Sequence, residues 1–363
     1  MRLARRAFLA AVAVRRLVAT ALAAEPPHMQ VDPFWPKPLP HNWLLGEVSG
    51  VAVGAADHVW IIQRPKTLTP DDKGSALHPP RSICCVPAPP VIEFDPAGNV
   101  LRAWGGPGRG YDWFHNEHGI YVDPNGFVWV GGNGANDGQV LKFTQDGNFV
   151  LQIGHPAHGA ASNDTTRLGR PADVAVDPAA REVYVADGYA NRRIIVFDSE
   201  SGAYKRHWGA YGGRPADTAQ HYHPQAPLPR QFGTPVHCVI LAKDGLLYVC
   251  DRQFDRIQVF HKDGRFVTEW RVAPNTLGMG SVWDLDLWPD AGQTLLFSAD
   301  GENNQVRILR RADGTVLGAF GRSGRQAGQF HWVHSLAIDS HGNVFTTEVD
   351  SGKRVQRFIP IAG

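Results

Sequence analysis

The chain has 363 residues, and its 36 basic and 35 acidic side chains leave a net charge of +1. This balance argues against a nucleic-acid or anionic-membrane surface, because such partners select strongly basic proteins. Hydrophobic residues make up 43% of the chain, enough for a sizeable core, and the 39 glycines and 27 prolines indicate many turns.

The first 24 residues, MRLARRAFLAAVAVRRLVATALAA, differ in character from the rest. A basic start, short apolar stretches and a small-residue end are typical of a signal peptide. Arg5-Arg6 resembles the twin-arginine export motif, although Arg15-Arg16 interrupts the apolar part. No other segment approaches the length of about 18 apolar residues that indicates a membrane span. We therefore expect an exported protein, periplasmic or secreted, whose mature chain begins near residue 25.

A repeated unit fills residues 25–363. Each copy ends a short β-rich run on a polar residue, and the copies are VWIIQR (59–64), VWVGGN (128–133), VYVADG (183–188), LYVCDR (247–252), LLFSAD (295–300) and VFTTEV (344–349). The first five copies lead into hairpin patterns such as VLKFTQDGNFVLQIG. Six units of four strands predict an all-β fold, a single six-bladed β-propeller. The sixth unit stops after three strands, so we expect the segment at 28–34 to supply the missing outer strand.

Two long insertions interrupt the repeat, at 65–90 and at 210–231. Long loops are often functional, and either insertion could form a lid over one mouth of the propeller. The chain also has four cysteines, which are Cys84, Cys85, Cys238 and Cys250. Cys238 and Cys250 fall on predicted neighbouring strands, where a disulfide is feasible, but the sequence does not decide the pairing. The spacings fit neither a zinc ribbon nor a CxxC redox pair.

The first strand of each unit suggests a metal site. When the six strands are aligned on their apolar alternation, one position is occupied in order by Ser49, His118, Ala172, His237, Trp283 and His334. Because first strands line the axis of a propeller, the three histidines should approach one point from three-fold-related directions. Three imidazoles with positions left open form a metal centre, and zinc is our first choice. The spacing is also compatible with iron, copper, nickel or cobalt.

Three further residues lie where second strands end, at the same mouth: Arg64, Tyr189 and Arg252. Tyr189 could act as a general base if neighbouring cations stabilise its phenolate. Arg64 or Arg252 could bind a substrate carboxylate. We expect these three residues to be catalytic and the substrate to be a small molecule or peptide-like compound with a carboxylate.

At these residues the chain resembles the peptidyl-α-hydroxyglycine α-amidating lyases, six-bladed propellers of NHL repeats. The resemblance spans residues 45–360 and is carried by GEVSGVAV, EHGIYVDPNGFVWV, VYVADGYANRRI, LYVCDRQFDRIQVF and WVHSLAIDSHGNVF. It implies zinc on His118, His237 and His334, a catalytic tyrosine at Tyr189, and functional arginines at Arg64 and Arg252. It also implies the reaction: a carbinolamide is split into an amide and glyoxylate.

The chain also departs from that family. Ser335 stands where the animal enzymes carry an aspartate that helps to bind a structural calcium ion, which argues against calcium in the channel. Two other functions stay open: a metal-dependent hydrolase of the lactonase or esterase kind, and a non-catalytic NHL propeller that binds protein or glycan partners. A closed ring needs no partner chain, so we expect a monomer.

Overall fold

The computed structural model describes residues 25–157 and 161–361, so the predicted signal peptide at 1–24 lies outside the described residues. The described chain forms six antiparallel sheets of four strands each, arranged around one axis. This confirms the predicted six-bladed β-propeller. The first strands of neighbouring blades contact one another all round the axis.

The strands follow the repeat closely. Before the first blade come β1 (His28–Asp32) and β2 (Trp43–Leu44). Blade 1 and its insertion contain β3 (Glu47–Val53), β4 (Val59–Arg64), β5 (Val86–Pro87), β6 (Val91–Phe94) and β7 (Val100–Trp104). Blade 2 contains β8 (Glu117–Val122), β9 (Phe127–Gly132), β10 (Gln139–Thr144) and β11 (Phe149–Gly154). Blade 3 contains β12 (Asp173–Asp177), β13 (Glu182–Asp187), β14 (Arg193–Asp198) and β15 (Tyr204–Trp208).

The second half repeats this plan. Blade 4 contains β16 (Val236–Leu241), β17 (Leu246–Asp251), β18 (Arg256–His261) and β19 (Phe266–Arg271). Blade 5 contains β20 (Asp284–Leu287), β21 (Leu295–Asp300), β22 (Gln305–Arg310) and β23 (Val316–Phe320). Blade 6 contains β24 (Val333–Ile338), β25 (Val344–Glu348) and β26 (Arg354–Ile361). Helix is limited to single 3₁₀ turns in the described residues, at Pro40–Asn42, Ala55–Asp57, Pro65–Thr67, Gly74–Ala76, Ala210–Gly212 and Arg252–Phe254.

The ring closes between its two ends, as predicted. Strand β1 pairs antiparallel with β26, from His28 opposite Ile361 to Asp32 opposite Arg357. The Arg357 guanidinium also forms an ion pair with the Asp32 carboxylate. The amino-terminal segment therefore supplies the fourth strand of blade 6, and the sheet edge that would otherwise invite pairing with another chain is covered.

The hydrophobic core lies between the blades. Six clusters of buried side chains each join two neighbouring blades; Tyr184 of blade 3, for example, shares a cluster with Val249 of blade 4. In each second strand, successive apolar residues point to opposite faces, and both faces are buried against a neighbouring blade. This explains why strands such as VYVAD and LYVCD are almost continuously apolar.

A repeated acid–arginine pair holds the loops at one end of the blades. Asp187, at the end of β13, accepts a hydrogen bond of 2.9 Å from Nε of Arg193 at the start of β14. Its other oxygen accepts from the backbone N–H of Gly169, which leads into β12. Corresponding ion pairs form in blades 4, 5 and 6, between Asp251 and Arg256, Asp300 and Arg307, and Glu348 and Arg354. Removing one partner of such a buried pair is expected to cost about 3–5 kcal/mol.

Both predicted insertions are anchored on the body of the propeller. The insertion at 65–90 provides β5, which pairs in parallel with β2, and exposes Cys84. In the insertion at 210–231, Tyr222 stacks on Phe254 with ring centres 5.9 Å apart. Cys238 and Cys250 form a disulfide between β16 and β17. Within the described residues, no helix has the length and apolar character needed to cross a membrane.

Candidate metal centre

A β-bulge points each of the three predicted histidines towards the axis. In β8 the pairing with β9 jumps from Glu117 to Ile120, so His118 falls within the irregularity. The same break occurs around His237 in β16 and around His334 in β24. A bulge redirects a side chain that regular pleating would place against a neighbouring blade. The alignment of first strands predicted which residues lie on the axis, and the bulges explain how they reach it.

The residues of the three intervening blades hold these imidazoles in place. His118 Nδ1 lies 2.8 Å from the carbonyl oxygen of Ala172, and His334 Nδ1 lies 2.7 Å from that of Ser49. His237 Nδ1 bonds in the same way to the carbonyl oxygen of Trp283. A carbonyl oxygen can only accept, so each Nδ1 must carry the proton and donate it. Each Nε2 therefore carries a lone pair and no proton, which is the form that binds a metal ion.

The geometry and the charge state of the three imidazoles both fit a metal ion. One nitrogen from each ring lies within 4.8 Å of the other two. The side chains are only 2 to 4% exposed, and burial lowers the pKa of each histidine well below its usual value. The positive charges of Arg64 and Arg252 further lower the pKa of His334. Three neutral, pre-oriented imidazoles are the donor set of a catalytic zinc site, so these residues fit zinc.

Tyr189 lies directly over the histidine cluster. Its hydroxyl oxygen is 2.8 Å from Nε2 of His118 and 3.0 Å from Nε2 of His237. The preceding Gly188 makes this possible, because a Cβ there would lie 2.0 Å from the carbonyl oxygen of Val236. The Asp-Gly-Tyr segment thus passes close over blade 4 and delivers the phenol to the axis. This is the position that the sequence predicted for Tyr189.

The two predicted arginines differ in their surroundings. Arg252 is 2% exposed, lies 4.5 Å from the centre of the Trp283 ring, and its NH1 is 3.4 Å from the Tyr189 hydroxyl. Its buried Nε has no hydrogen-bond partner among the described residues. Arg64, by contrast, donates 2.7 Å from Nε to the carbonyl oxygen of Glu117 and forms an ion pair with Glu47. Arg252 therefore contacts the predicted base directly, whereas Arg64 is already bound by the protein.

Two features of the site are not predicted by the sequence patterns. The carbonyls of Ser49, Ala172 and Trp283 orient the histidines, but backbone carbonyls leave no trace in a sequence. Arg170 was also missed, although its guanidinium carbon lies 5.6 Å from the centre of the Tyr189 ring. Its signal was its register, two residues before the aligned position of Ala172.

The axial channel on the other side of the histidines is lined by acidic side chains instead of basic ones. A cavity of about 530 Å³ is lined by Asp173, Asp284 and Asp286, and its lining includes no lysine or arginine in the described chain. Burial raises the pKa of Asp284 to about 6 and that of Asp286 to about 7. Asp284 accepts a hydrogen bond of 2.6 Å from the Ser335 hydroxyl. These carboxylates link neighbouring blades, because Asp286 likewise accepts from the backbone N–H of Ile338 at 2.7 Å.

The fold and the site define a six-bladed β-propeller with a three-histidine centre on its axis. No protein-family model matches the chain. It is 29% identical over 344 residues to peptidyl-glycine alpha-amidating monooxygenase B of Xenopus laevis, which covers 92% of this chain and 36% of that protein. It is 26% identical over 347 residues to peptidyl-alpha-hydroxyglycine alpha-amidating lyase 1 of Drosophila melanogaster, covering 90% and 58% respectively.

A third relative carries no enzyme name. The chain is 26% identical over 356 residues to NHL repeat-containing protein 3 of Mus musculus, covering 93% of this chain and 85% of that protein. The resemblance predicted from the sequence, to amidating lyases and to NHL repeat proteins, is confirmed by these relatives. The chain spans about a third of the length of the Xenopus monooxygenase, so it corresponds to one part of that protein.

Proposed function

We propose that the protein is a zinc-dependent carbon–nitrogen lyase that splits a carbinolamide, R–CO–NH–CH(OH)–COO⁻, into an amide and glyoxylate. One observation carries the proposal: the Tyr189 hydroxyl lies within 3.0 Å of Nε2 of both His118 and His237 and 3.4 Å from NH1 of Arg252. A proton acceptor, a set of metal ligands and a cation thus meet at one point. The lyase names of the relatives support the same class of reaction.

His118, His237 and His334 would hold the metal ion through Nε2. Zinc bound there would polarise the substrate hydroxyl and favour the loss of its proton. Iron, copper, nickel and cobalt remain alternatives on the same ligands.

In this proposal the phenolate form of Tyr189 takes the hydroxyl proton and later returns it to the nitrogen. As the proton leaves, the oxygen forms a carbonyl with its carbon, and the bond from that carbon to nitrogen breaks. The electron pair stays on nitrogen, which gains one proton and becomes the amide. One proton lost from oxygen and one gained by nitrogen balance the reaction, so neither water nor a redox partner is consumed.

Arg252 anchors the carboxylate of the substrate. Its buried Nε lacks a hydrogen-bond partner in the described part of the chain, and an unsatisfied buried donor is costly unless a ligand accepts from it. A bound carboxylate would satisfy this donor and place the neighbouring hydroxyl carbon beside Tyr189, since Arg252 contacts the phenol. Arg64 supports the site from the first blade, where its ion pair with Glu47 fixes it.

Export remains part of the proposal. The buried disulfide between Cys238 and Cys250 supports it, because disulfides persist in oxidising compartments. The proposed substrate is a small molecule or a peptide-like compound. Because the ring of blades is closed, it needs no partner chain, and we propose a monomer.

The test is glyoxylate release from α-hydroxyhippurate by the purified protein. Tyr189→Phe should lower kcat by about 100-fold or more, the usual contribution of a general base, with unchanged metal content. Tyr204→Phe, on the outer strand β15, is the matched control and should retain full activity. Equal rates for wild type and Tyr189→Phe would contradict the proposed role.

The non-catalytic NHL module is the second candidate, and the match to NHL repeat-containing protein 3 over most of both chains favours it. It predicts metal content below about one-tenth of an equivalent and no glyoxylate release. The same two measurements therefore separate the candidates.

A further inference from the structure

Arg170 is a second guanidinium group beside Tyr189 that the proposed reaction does not use. Its central carbon lies 5.6 Å from the centre of the Tyr189 ring, and that of Arg252 lies 5.7 Å away. Arg170 is half-buried and forms no ion pair with any carboxylate of the described residues. Since the two groups share one ring, their separation is at most the sum of these two distances. Both guanidinium groups therefore lie close to the phenol on which the proposed reaction depends.

The backbone holds Arg170 in place. Its φ of 60° lies in the left-handed region, which a residue with a side chain occupies at a cost of about 1 kcal/mol. Its carbonyl oxygen accepts from the Tyr189 N–H at 3.3 Å, and its Nε donates to the carbonyl oxygen of Asn133 at 2.7 Å. The two terminal nitrogens have no hydrogen-bond partner in the described chain. Arg170 is thus tethered through Nε, while its two terminal nitrogens are without a partner among the described residues and can bind a ligand.

The charges of the substrate indicate what kind of group Arg170 binds. A carbinolamide has one carboxylate, next to the carbon on which Tyr189 acts, and Arg252 takes it in the proposed function. The rest of the substrate is the acyl group on the far side of the nitrogen. A guanidinium whose terminal nitrogens have no partner among the described residues can bind a planar anion through two parallel N–H donors.

We infer that Arg170 determines substrate specificity by binding a carboxylate at the end of the acyl group. The preferred substrates are then N-acyl-α-hydroxyglycines with an acidic acyl chain, such as the succinyl derivative, rather than apolar peptides. This inference rests on the proposed function for the identity of the substrate. The existence of a second anion site at Arg170 does not depend on the proposed function, and binding measurements alone can test it.

The kinetic test compares N-succinyl-α-hydroxyglycine with its N-butanoyl analogue, which has the same chain length and lacks the terminal carboxylate. Wild type should favour the succinyl compound in kcat/KM by about tenfold, the value of one charge-assisted hydrogen bond. Arg170→Gln should bring this ratio close to one, mainly by raising KM for the succinyl compound. Arg170→Lys should retain part of the preference, because it keeps the charge and loses the paired donors.

Arg167→Gln is the matched control, since Arg167 lies in the same loop and is already paired with Asp164. It should keep the wild-type ratio. A wild-type ratio near one, or a ratio that survives in Arg170→Gln, would overturn the inference.

Binding separates this inference from the proposed function. N-succinylglycine and N-butanoylglycine lack the hydroxyl and cannot react, so calorimetry reports the anion site alone. Tighter binding of the succinyl compound that is lost in Arg170→Gln supports the site even if no glyoxylate is ever released. Equal binding of both compounds by wild type refutes it even if the lyase activity is present.

Discussion

The two sides of the histidine cluster show how one ring of strands separates acidic from basic side chains. Towards the loops that follow the second strands lie Arg170 and Arg252, which have no carboxylate partner among the described residues. Along the axial channel lie Asp173, Asp284 and Asp286, where the lining has no basic side chain in the described chain. The carboxylates bond to backbone N–H groups of neighbouring blades, whereas Nε of Arg252 has no hydrogen-bond partner in the described chain. The acidic side is therefore suited to holding blades together, and the cationic side to binding an anion.

The largest effect should come from removing a histidine. His237→Ala is expected to reduce bound zinc from about one equivalent to below about one-tenth, and to abolish glyoxylate release, because three ligands are the minimum for such a site. Asp284→Asn, from the acidic side, should retain its zinc. Metal analysis of both purified variants checks this, with His207→Ala on β15 as a histidine control. Loss of zinc in Asp284→Asn as well would erase the distinction between the two sides.

A smaller effect should separate the two arginines of the cationic side. Arg252→Gln is expected to lower kcat/KM for α-hydroxyhippurate by about 100-fold. Removing a buried charge that binds an oppositely charged partner typically costs about 2–5 kcal/mol in binding free energy. Arg64→Gln should lower it by about tenfold or less, because Arg64 already binds Glu47 and the Glu117 carbonyl. Steady-state kinetics of both variants at constant zinc content measure the difference. The reverse order would mean that Arg64 is the anchor of the carboxylate.

The smallest effect should appear in the acidic channel, as a change of stability with pH. Burial raises the pKa of Asp286 to about 7, so between an ordinary carboxyl pKa of about 4 and this value the folded state binds more protons than the unfolded state. Stability should therefore fall as the pH rises through this range. Asp286→Asn cannot ionise and should reduce the loss in Tm between about pH 5 and about pH 8 by about 3 °C. Thermal unfolding checks this, with the exposed Asp71→Asn as control; an unchanged pH profile would contradict the assignment.

Much of the architecture could be predicted because it rests on repetition. The spacing of apolar residues predicted the six strand copies and the closing strand at 28–34. It also predicted that the first strands of alternate blades carry a histidine at the same position. The positions of Tyr189 and Arg252 followed from where second strands end, and both lie at the axis as expected. The surroundings of Arg64 could not be predicted, because nothing in the sequence indicated that the Glu47 carboxylate would form an ion pair with it.

The sequence by itself thus determined the number of blades, the closure of the ring and the three histidines that face the propeller axis. It could do so because strand alternation is a local property that is repeated six times. Only the tertiary structure decided how those residues are used. The bulges that turn the histidines inward, and the carbonyls of Ser49, Ala172 and Trp283 that fix their tautomers, depend on backbones brought together from different blades. Arg64 is paired with Glu47, whereas Arg170 has no carboxylate partner within the described ranges. This contrast has the same origin, since ion pairing depends on neighbours that are distant in the chain.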